Sequence, residues 1–272
     1  MSEMDKMHIK AVAFDLDGTL LTSDKHVAPS SIKAISRLRD MGILPVVATG
    51  RNVALARHLI IQAGIPTPLI NCNGACIYDW DHDTDLLHIT LNEKASLAAL
   101  EFARQSSCHL HVFMDHEIYF EEDGKYADFL EPISTEIGKV VDFSTFFNHP
   151  RFTKAMYIGR MEETLPVRRL FEQHFGDTLS LVYSHPEFFE VMPKEATKGA
   201  ALATLMETYG ISSQETMAFG DSENDIEMLQ WVGHPVAMAN ASDQVKALFD
   251  NQAPSNDDDG IARYLESFFG WT

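Results

Sequence analysis

The sequence has few cysteines and no long apolar segment. The three cysteines are Cys72, Cys76 and Cys108, too few and too irregularly spaced for a disulfide framework or a zinc cluster. No apolar run approaches the roughly 20 residues that span a bilayer. The first ten residues, MSEMDKMHIK, are charged and lack the apolar region of a signal peptide. We therefore expect a cytoplasmic protein with reduced thiols.

Basic residues are also scarce. Lys and Arg number 21 against 40 Asp and Glu, and the formal net charge is −19. Such a charge keeps a protein soluble and repels polyanions, so we expect neither nucleic acid nor a membrane surface as a partner. A small anionic ligand can bind only where a metal ion and a few basic side chains concentrate positive charge.

What the sequence does contain is an alternation of apolar strands with amphipathic helices. Three strands are predicted early in the chain, AVAF at 11–14, ILPVVATG at 43–50 and PLINCNG at 68–74. The same alternation of apolar strands and amphipathic helices returns after about residue 190, with strands ETMAFGD at 215–221 and PVAMA at 235–239. Continuous apolar strands with helical connections are typical of a parallel sheet. The fold class is therefore predicted as α/β, with a doubly wound parallel-sheet, Rossmann-like core.

Between these two parts the pattern of apolar and polar residues changes. Polar residues dominate DWDHDTD at 79–85, and shorter strands of mixed polarity follow, with helices near 93–106 and 162–174 between them. Those strands are LLHITL (86–91), HLHVFMD (109–115), EIYFE (117–121), TKAMYIG (153–159) and LSLVYS (179–184). Such alternation suits a sheet with one covered and one exposed face. We expect a core formed by residues 1–82 and 190–272, with an inserted α+β domain over 83–189.

Four polar clusters follow strands of the predicted core. They are Asp15 and Asp17 after AVAF, Thr49-Gly50-Arg51 after PVVA, Asn71-Cys72-Asn73-Gly74 after PLI, and Gly220-Asp221 after TMAF. Each cluster alone has the composition of an ordinary turn. In open α/β sheets, however, ligands bind beyond the carboxyl ends of the strands. Four such clusters at one sheet edge indicate a functional site.

The carboxylates among these residues predict a metal site. Asp15 and Asp17 are two apart on an extended chain, so their side chains point the same way and repel unless a cation lies between them. With Asp221 they form the hard oxygen site that Mg²⁺ prefers. Asp225 follows Asp221 by four residues and can turn back toward the same site. Asn224 lies at the start of that helix, where an amide can donate to a bound anion.

Lys198 stands at an unfavourable place unless it has a function. In EATKGAAL the natural N-cap is Thr197, which puts Lys198 in the first helical turn, where the helix dipole disfavours a cation. A solvated surface lysine is one interpretation. The other is a lysine that binds a phosphate beside Asp15, with Lys194 as its rival for that role.

The motifs together resemble those of a known family. Asp15-Leu16-Asp17-Gly18-Thr19, Thr49 in ATGR, Lys198 and GDSEND at 220–225 are similar in order to the four motifs of the haloacid dehalogenase-like hydrolases. ATGR, NCNGA and the TKG before GDSEND look like the Cof-type phosphatase branch. Only one helix and one strand fit between Asp17 and Thr49, whereas a whole domain fits between Thr49 and Lys198. The inserted domain therefore looks like the type II cap of this branch.

The resemblance implies a Mg²⁺-dependent phosphatase that acts through an aspartyl-phosphate intermediate. Its substrates would be phosphate monoesters of small metabolites, such as sugar phosphates, pyridoxal phosphate or flavin mononucleotide. Asp15 would be the nucleophile and Asp17 the general acid and base. The metal ligands would be the Asp15 and Asp221 carboxylates and the Asp17 main-chain carbonyl, with Asp225 in support. The residues implied to bind the phosphoryl group are Leu16, Thr49, Gly50, Lys198 and Asn224.

Other functions stay open at this point. A phosphotransferase or phosphomutase would use the same residues. A receiver-like signalling module also places acidic residues, a threonine and a lysine at a parallel sheet edge, but such a module is less than half this length and lacks the inserted domain. A non-catalytic phosphate-binding protein is the third alternative. We expect a monomer or a weak homodimer.

Overall fold

The structure is a computed structural model that describes residues 8–65, 68–121 and 138–271. The first seven residues, on which part of the signal-peptide prediction depends, lie outside this range. The chain forms two compact units. Of the described residues, the first unit contains 8–51, 56–65, 68–87 and 197–271, and the second contains 52–55, 88–121 and 138–196. The domain boundaries predicted from the sequence stay a prediction.

The described residues form fourteen strands, numbered here in chain order. They are β1 (Ala11–Phe14), β2 (Leu44–Val47), β3 (Leu69–Asn71), β4 (Cys76–Asp79), β5 (Thr84–His88), β6 (His109–Met114), β7 (Glu117–Phe120), β8 (Gly138–Val140), β9 (Lys154–Ile158), β10 (Leu179–His185), β11 (Phe188–Pro193), β12 (Thr216–Gly220), β13 (His234–Met238) and β14 (Gln252–Ala253).

Nine α-helices accompany these strands in the same described ranges. They are α1 (Pro29–Asp40), α2 (Val53–Gln62), α3 (Glu93–Arg104), α4 (Phe143–Phe146), α5 (Met161–Phe175), α6 (Lys198–Tyr209), α7 (Ile226–Trp231), α8 (Asp243–Leu248) and α9 (Gly260–Phe269). A search of the described residues for a helix that is both long and apolar enough to cross a membrane finds none.

The first unit is organised by a parallel sheet in the order β14-β13-β12-β1-β2. The residues of β1 are fully buried because this strand lies between β2 and β12. The chain leaves β1 toward one side of the sheet and later returns to β12 on the other. Strand order therefore reverses between β1 and β12, which is where open α/β sheets bind ligands. The predicted parallel α/β core is confirmed.

Local sequence explains how the elements of this unit begin and end. Pro29 at the first position of α1 supplies a backbone angle suited to a helix start. The Ser242 side chain accepts a hydrogen bond from the Val245 amide at 3.3 Å and so caps the start of α8. A separate three-stranded sheet, β3-β4-β5, lies in the chain between β2 and β6. A parallel bridge joins Ala48 to Ile70 of β3.

The second unit is built on a sheet in the order β10-β11-β9-β6-β7-β8. All its described strand pairs are antiparallel except β7 with β8. One face packs on α3 and α5 through an aromatic core that includes Phe102, Tyr157 and Phe171. The sequence did not predict β11, whose Phe188–Pro193 span runs through the expected domain boundary at residue 190. Five successive residues of β11 are buried, so both faces of the strand are covered. The strand was not predicted because it lacks the alternation of apolar and polar residues that marks a strand with one exposed face.

Candidate active site

Three acidic side chains and one lysine meet beyond the carboxyl ends of β1 and β12. Phe14, the last residue of β1, is paired with Phe219 of β12. The residues that follow these strands, Asp15 and Asp221, therefore emerge side by side. Ligand oxygens of Asp15, Asp221 and Asp225 all lie within 4.8 Å of one another. The parallel register thus brings together three of the four carboxylates predicted for the metal site.

Lys198 lies at the centre of this group. Its Nζ donates to Asp15 Oδ1 at 2.6 Å and to Asp225 Oδ1 at 2.6 Å, and the lysine is only 1% exposed. The predicted N-cap is confirmed, since the Thr197 side chain accepts from the Ala200 amide at 3.1 Å. The two carboxylates thus offset the unfavourable helix dipole. Lys194, by contrast, has a side chain 57% exposed and lies 3.5 Å from Asp177.

The buried charges of this cluster do not balance. Burial raises the pKa of Asp15 well above its ordinary value, repulsion by Asp225 raises it further, and Lys198 opposes both effects. Burial and Asp225 also raise the pKa of Asp221. Despite its burial, Lys198 has a raised pKa because Asp15 and Asp225 stabilise the ammonium. Three carboxylates facing one ammonium leave an excess of negative charge.

This donor set fits a hard divalent cation. Carboxylate oxygens are the ligands that Mg²⁺ accepts, and Mg²⁺ requires few of them. Asp221 is held in place by Thr19 Oγ1 at 2.8 Å and Ser222 Oγ at 3.0 Å. Asp225 turns back as predicted, because its Oδ2 accepts the amides of Asp221 and Ser222, both at 3.0 Å. The structure therefore contains a possible acidic metal-binding cluster.

A tight turn after β1 makes room for Asp221. Gly18 has a φ of +84°, and a Cβ at this position would lie 2.6 Å from Asp221 Oδ2. Both the left-handed backbone and the close approach of a carboxylate require glycine here. The glycine of the D-x-D-G-T segment thus has a direct structural reason.

The Asp17 side chain has different partners from the other three carboxylates. Arg51 binds it with two hydrogen bonds, Nε to Oδ2 at 2.7 Å and Nη2 to Oδ1 at 2.7 Å. Lys25 Nζ adds a contact to Oδ1 at 3.1 Å. Burial alone would raise the pKa of Asp17, but the bonds and charges of Arg51 and Lys25 outweigh it and hold the pKa below its ordinary value. In this structure Asp17 is therefore an ionised, doubly anchored carboxylate.

The predicted phosphate-binding residues surround the same sheet edge. Thr49 is buried, and its Oγ1 accepts the Arg51 amide at 3.1 Å. Leu16 is buried and bonded through its carbonyl to the Leu21 amide at 2.8 Å. Asn224 is exposed on a 3₁₀ turn, Glu223–Asp225, and its Nδ2 donates to Asn73 Oδ1 at 2.9 Å. Gly50 lies against that same Asn73 oxygen.

Sequence reasoning placed Arg51 and Asn73 within polar clusters but assigned neither a role. For Arg51 a signal existed, since it follows Thr49 and Gly50 directly and is a cation in an acidic chain. Thr19 and Lys25 were also given no role, although they contact Asp221 and Asp17. No local pattern indicates the Lys25 contact, because it depends on how the turn after β1 folds back.

The switch point between β1 and β12 and the buried Asp–Lys–Asp cluster there place a candidate active site at the edge of a Rossmann-like α/β sheet. The sequence matches the family described as haloacid dehalogenase-like hydrolase over residues 12–265. The chain therefore belongs to the haloacid dehalogenase-like hydrolase family.

Similar proteins agree with this assignment. The chain is 33% identical over 243 residues to an HMP-PP phosphatase of Serratia proteamaculans, covering 88% of this chain and 87% of that protein. It is 30% identical to the pyridoxal phosphate phosphatase YbhA of Escherichia coli, covering 96% and 99%. A crystal structure of a haloacid dehalogenase-like hydrolase from Bacteroides thetaiotaomicron superposes with a TM-score of 0.88 at 26% identity, covering 96% and 100%.

These comparisons bear on the expectations from the sequence. The predicted family is confirmed, and so are the predicted fold class and the predicted phosphatase class with small-metabolite substrates. The roles of individual residues, the identity of the metal and the oligomeric state stay predictions.

Proposed function

We propose that this chain is a phosphoric monoester hydrolase in which Asp15 is the nucleophile. The observation that carries the proposal is the buried Lys198 ammonium, 2.6 Å from Asp15 and 2.6 Å from Asp225. A carboxylate without a cationic partner is unstable in such an environment, and a phosphate dianion could not approach it. Lys198 opposes the rise in the pKa of Asp15 that burial and Asp225 cause, and its ammonium can bind a phosphoryl oxygen.

The reaction has two steps. An Asp15 carboxylate oxygen attacks phosphorus, the bond from phosphorus to the ester oxygen breaks, and the leaving alkoxide takes a proton. Water then attacks the phosphorus of the aspartyl phosphate and loses a proton, and the phosphorus–Asp15 bond breaks. The products are the alcohol and inorganic phosphate, and Asp15 is regenerated. Thr49, the Gly50 amide, Leu16 and Asn224 would bind the phosphoryl oxygens during both steps.

Asp17 is the proposed general acid and base. Arg51 and Lys25 favour its ionised form, and that form is the one that accepts the proton of the attacking water. For the first step Asp17 has to carry a proton, which displaces the hydrogen bond that Arg51 donates to the protonated oxygen. Proton transfer by Asp17 and release of Arg51 are therefore coupled.

The cation proposed for the acidic cluster is Mg²⁺. The Asp15 and Asp221 carboxylates and the main-chain carbonyl of Asp17 would hold it. Asp225 would support the site, because Lys198 and two backbone amides already occupy its oxygens. When bound, the ion reduces the repulsion between carboxylate and phosphate and stabilises the charge that develops on the phosphoryl oxygens.

Pyridoxal phosphate is the first substrate to test, because a relative that matches over nearly its whole length is named a pyridoxal phosphate phosphatase. Sugar phosphates and flavin mononucleotide belong in the same panel. The second compact unit is proposed to be the inserted type II cap. We also propose a cytoplasmic monomer or weak homodimer that binds neither nucleic acid nor a membrane surface.

Stopped-flow kinetics of Asp17→Asn with p-nitrophenyl phosphate tests the proposed roles. Nitrophenolate leaves without a proton, so the variant should still phosphorylate Asp15. An amide cannot activate water, so dephosphorylation should slow by about 10²–10⁴-fold. The expected trace is a burst near one equivalent per site followed by a slow steady state.

Two further variants complete this test. Asp15→Asn should show neither burst nor turnover, and the exposed Asp24→Asn should behave as the wild type. Absence of a burst, with equal losses on nitrophenyl and alkyl phosphates, would show that Asp17 is not the acid–base residue. Transfer of the phosphoryl group to an added alcohol, without release of inorganic phosphate, would indicate a phosphotransferase instead.

A further inference from the structure

Two consecutive residues in the turn after β3 have left-handed backbone angles. Cys72 has a φ of 47° and Asn73 a φ of 54°. Asn tolerates this region better than most residues, yet such a conformation persists only where surrounding contacts hold it. The contacts here are backbone hydrogen bonds at 2.9 Å from Cys72 N to Arg51 O and from Asn73 N to Thr49 O. The turn is thus hydrogen-bonded through its backbone to the segment that follows β2.

The Asn73 side chain continues this connection. It is only 6% exposed, and its Oδ1 accepts a hydrogen bond from Asn224 Nδ2 at 2.9 Å. A Cβ on Gly50 would lie 2.9 Å from the same oxygen, so the carboxamide is in close contact with the Gly50 backbone. One buried side chain therefore touches groups that come from β2 and from the turn after β12.

These contacts matter for how Asn224 can act. Asn224 is exposed on a short turn, where an unrestrained amide would sample several rotamers. An Asn amide has two donor hydrogens. The bond to Asn73 uses one of them, which fixes the orientation of the other.

We propose that Asn73 is a positioning residue of the phosphate site. Its carboxamide orients the Asn224 amide and keeps it in register with Gly50, so that both donors are directed toward one phosphoryl group. This inference rests on the proposed function, because it takes Gly50 and Asn224 to bind phosphate. Asn73 itself acts through these residues.

Binding of inorganic phosphate, measured by calorimetry with Mg²⁺ present, tests the inference independently of turnover. Asn73→Gly suits the left-handed backbone and removes the whole side chain, including the carboxamide. Loss of one hydrogen bond's orienting effect should weaken phosphate binding about 3- to 10-fold. The same change should raise the KM for p-nitrophenyl phosphate by a similar factor.

A double variant separates positioning from general stability. If Asn73 acts through Asn224, then Asn73→Gly combined with Asn224→Ala should bind phosphate no more weakly than Asn224→Ala alone. Losses that multiply in the double variant, or unchanged phosphate binding in Asn73→Gly, would overturn the proposal. If the glycine variant does not fold, Asn73→Ser removes the carboxamide with a smaller loss of volume and serves the same comparison.

The matched control is Asp83→Gly. Asp83 has a φ of 49° and accepts a hydrogen bond from the Tyr78 hydroxyl at 2.7 Å, so this change also removes one bonded side chain from a left-handed residue. Its phosphate binding should equal that of the wild type. If the wild type binds phosphate but hydrolyses no ester, the proposed hydrolase function fails while the coupling of Asn73 with Asn224 can still be measured. If the wild type binds no phosphate, both proposals fail.

Discussion

Replacing Lys198 by methionine should destabilise the first unit more than the loss of an ordinary surface charge. Methionine keeps a long side chain but removes the ammonium that lies 2.6 Å from Asp15 and 2.6 Å from Asp225. Removal of one partner from a buried ion pair typically costs about 3–5 kcal/mol. A second route gives a similar value. Forcing one carboxyl with an ordinary pKa near 4 to be neutral at pH 7 costs about 4 kcal/mol, at 1.36 kcal/mol per pKa unit, which is an upper limit for Asp15 because its pKa is already raised.

The deficit should depend on pH in a defined direction. Without Lys198, the folded-state pKa of Asp15 rises further above its unfolded value. The stability contributed by such a group is present below the unfolded pKa and is lost as the pH rises through the folded pKa. The deficit of the variant should therefore shrink as the pH falls from 7 to 5, by up to about 1.36 kcal/mol per pH unit for a carboxyl that is protonated in the folded variant but ionised in the folded wild type.

Urea unfolding in EDTA, followed by tryptophan fluorescence, measures this effect. All three tryptophans, Trp80, Trp231 and Trp271, belong to the first unit, so their signal reports the unit that contains Lys198. The control is Lys194→Met, whose side chain is 57% exposed and whose loss should change the free energy of unfolding by at most about 0.5 kcal/mol. Similar unfolding free energies for the two variants at pH 7, or a deficit that is constant down to pH 5, would refute the reasoning.

Three further predictions concern the metal, the lysine's helix and Asp17. EDTA should abolish hydrolysis and Mg²⁺ should restore it, because the acidic cluster needs a cation; full activity in metal-free buffer would contradict this. Thr197→Ala should lower the free energy of unfolding by about 1 kcal/mol, since the N-cap bond is lost, whereas Thr197→Ser should retain most of it in urea titrations. Arg51→Ala should raise the pKa of Asp17, so the loss of kcat on acidification should begin at higher pH; an unchanged acidic limb would show that Arg51 does not control Asp17.

Much of the fold could be predicted because it depends on local pattern. Apolar strands and helix caps depend on residues that are close in sequence, as at Thr197, whose predicted capping bond is present. The parallel direction of the core strands also follows, since short helical connections between buried strands leave few other topologies. In the second unit local pattern was less informative, and β11 was missed because it is covered on both faces.

For the candidate site, the sequence by itself determined which residues reach the sheet edge. Asp15 and Asp221 each follow a buried strand, and the resemblance of the motifs to the family selected Lys198 over Lys194. Only the tertiary structure decided how the side chains are paired there. Arg51 binds Asp17 across 34 positions and Asn73 binds Asn224 across 151, and no local signal specifies such partners. The end of a strand is set by the pattern of apolar and polar residues along it. These side-chain pairings depend instead on rotamers and on the close approach of chain segments that meet only after folding.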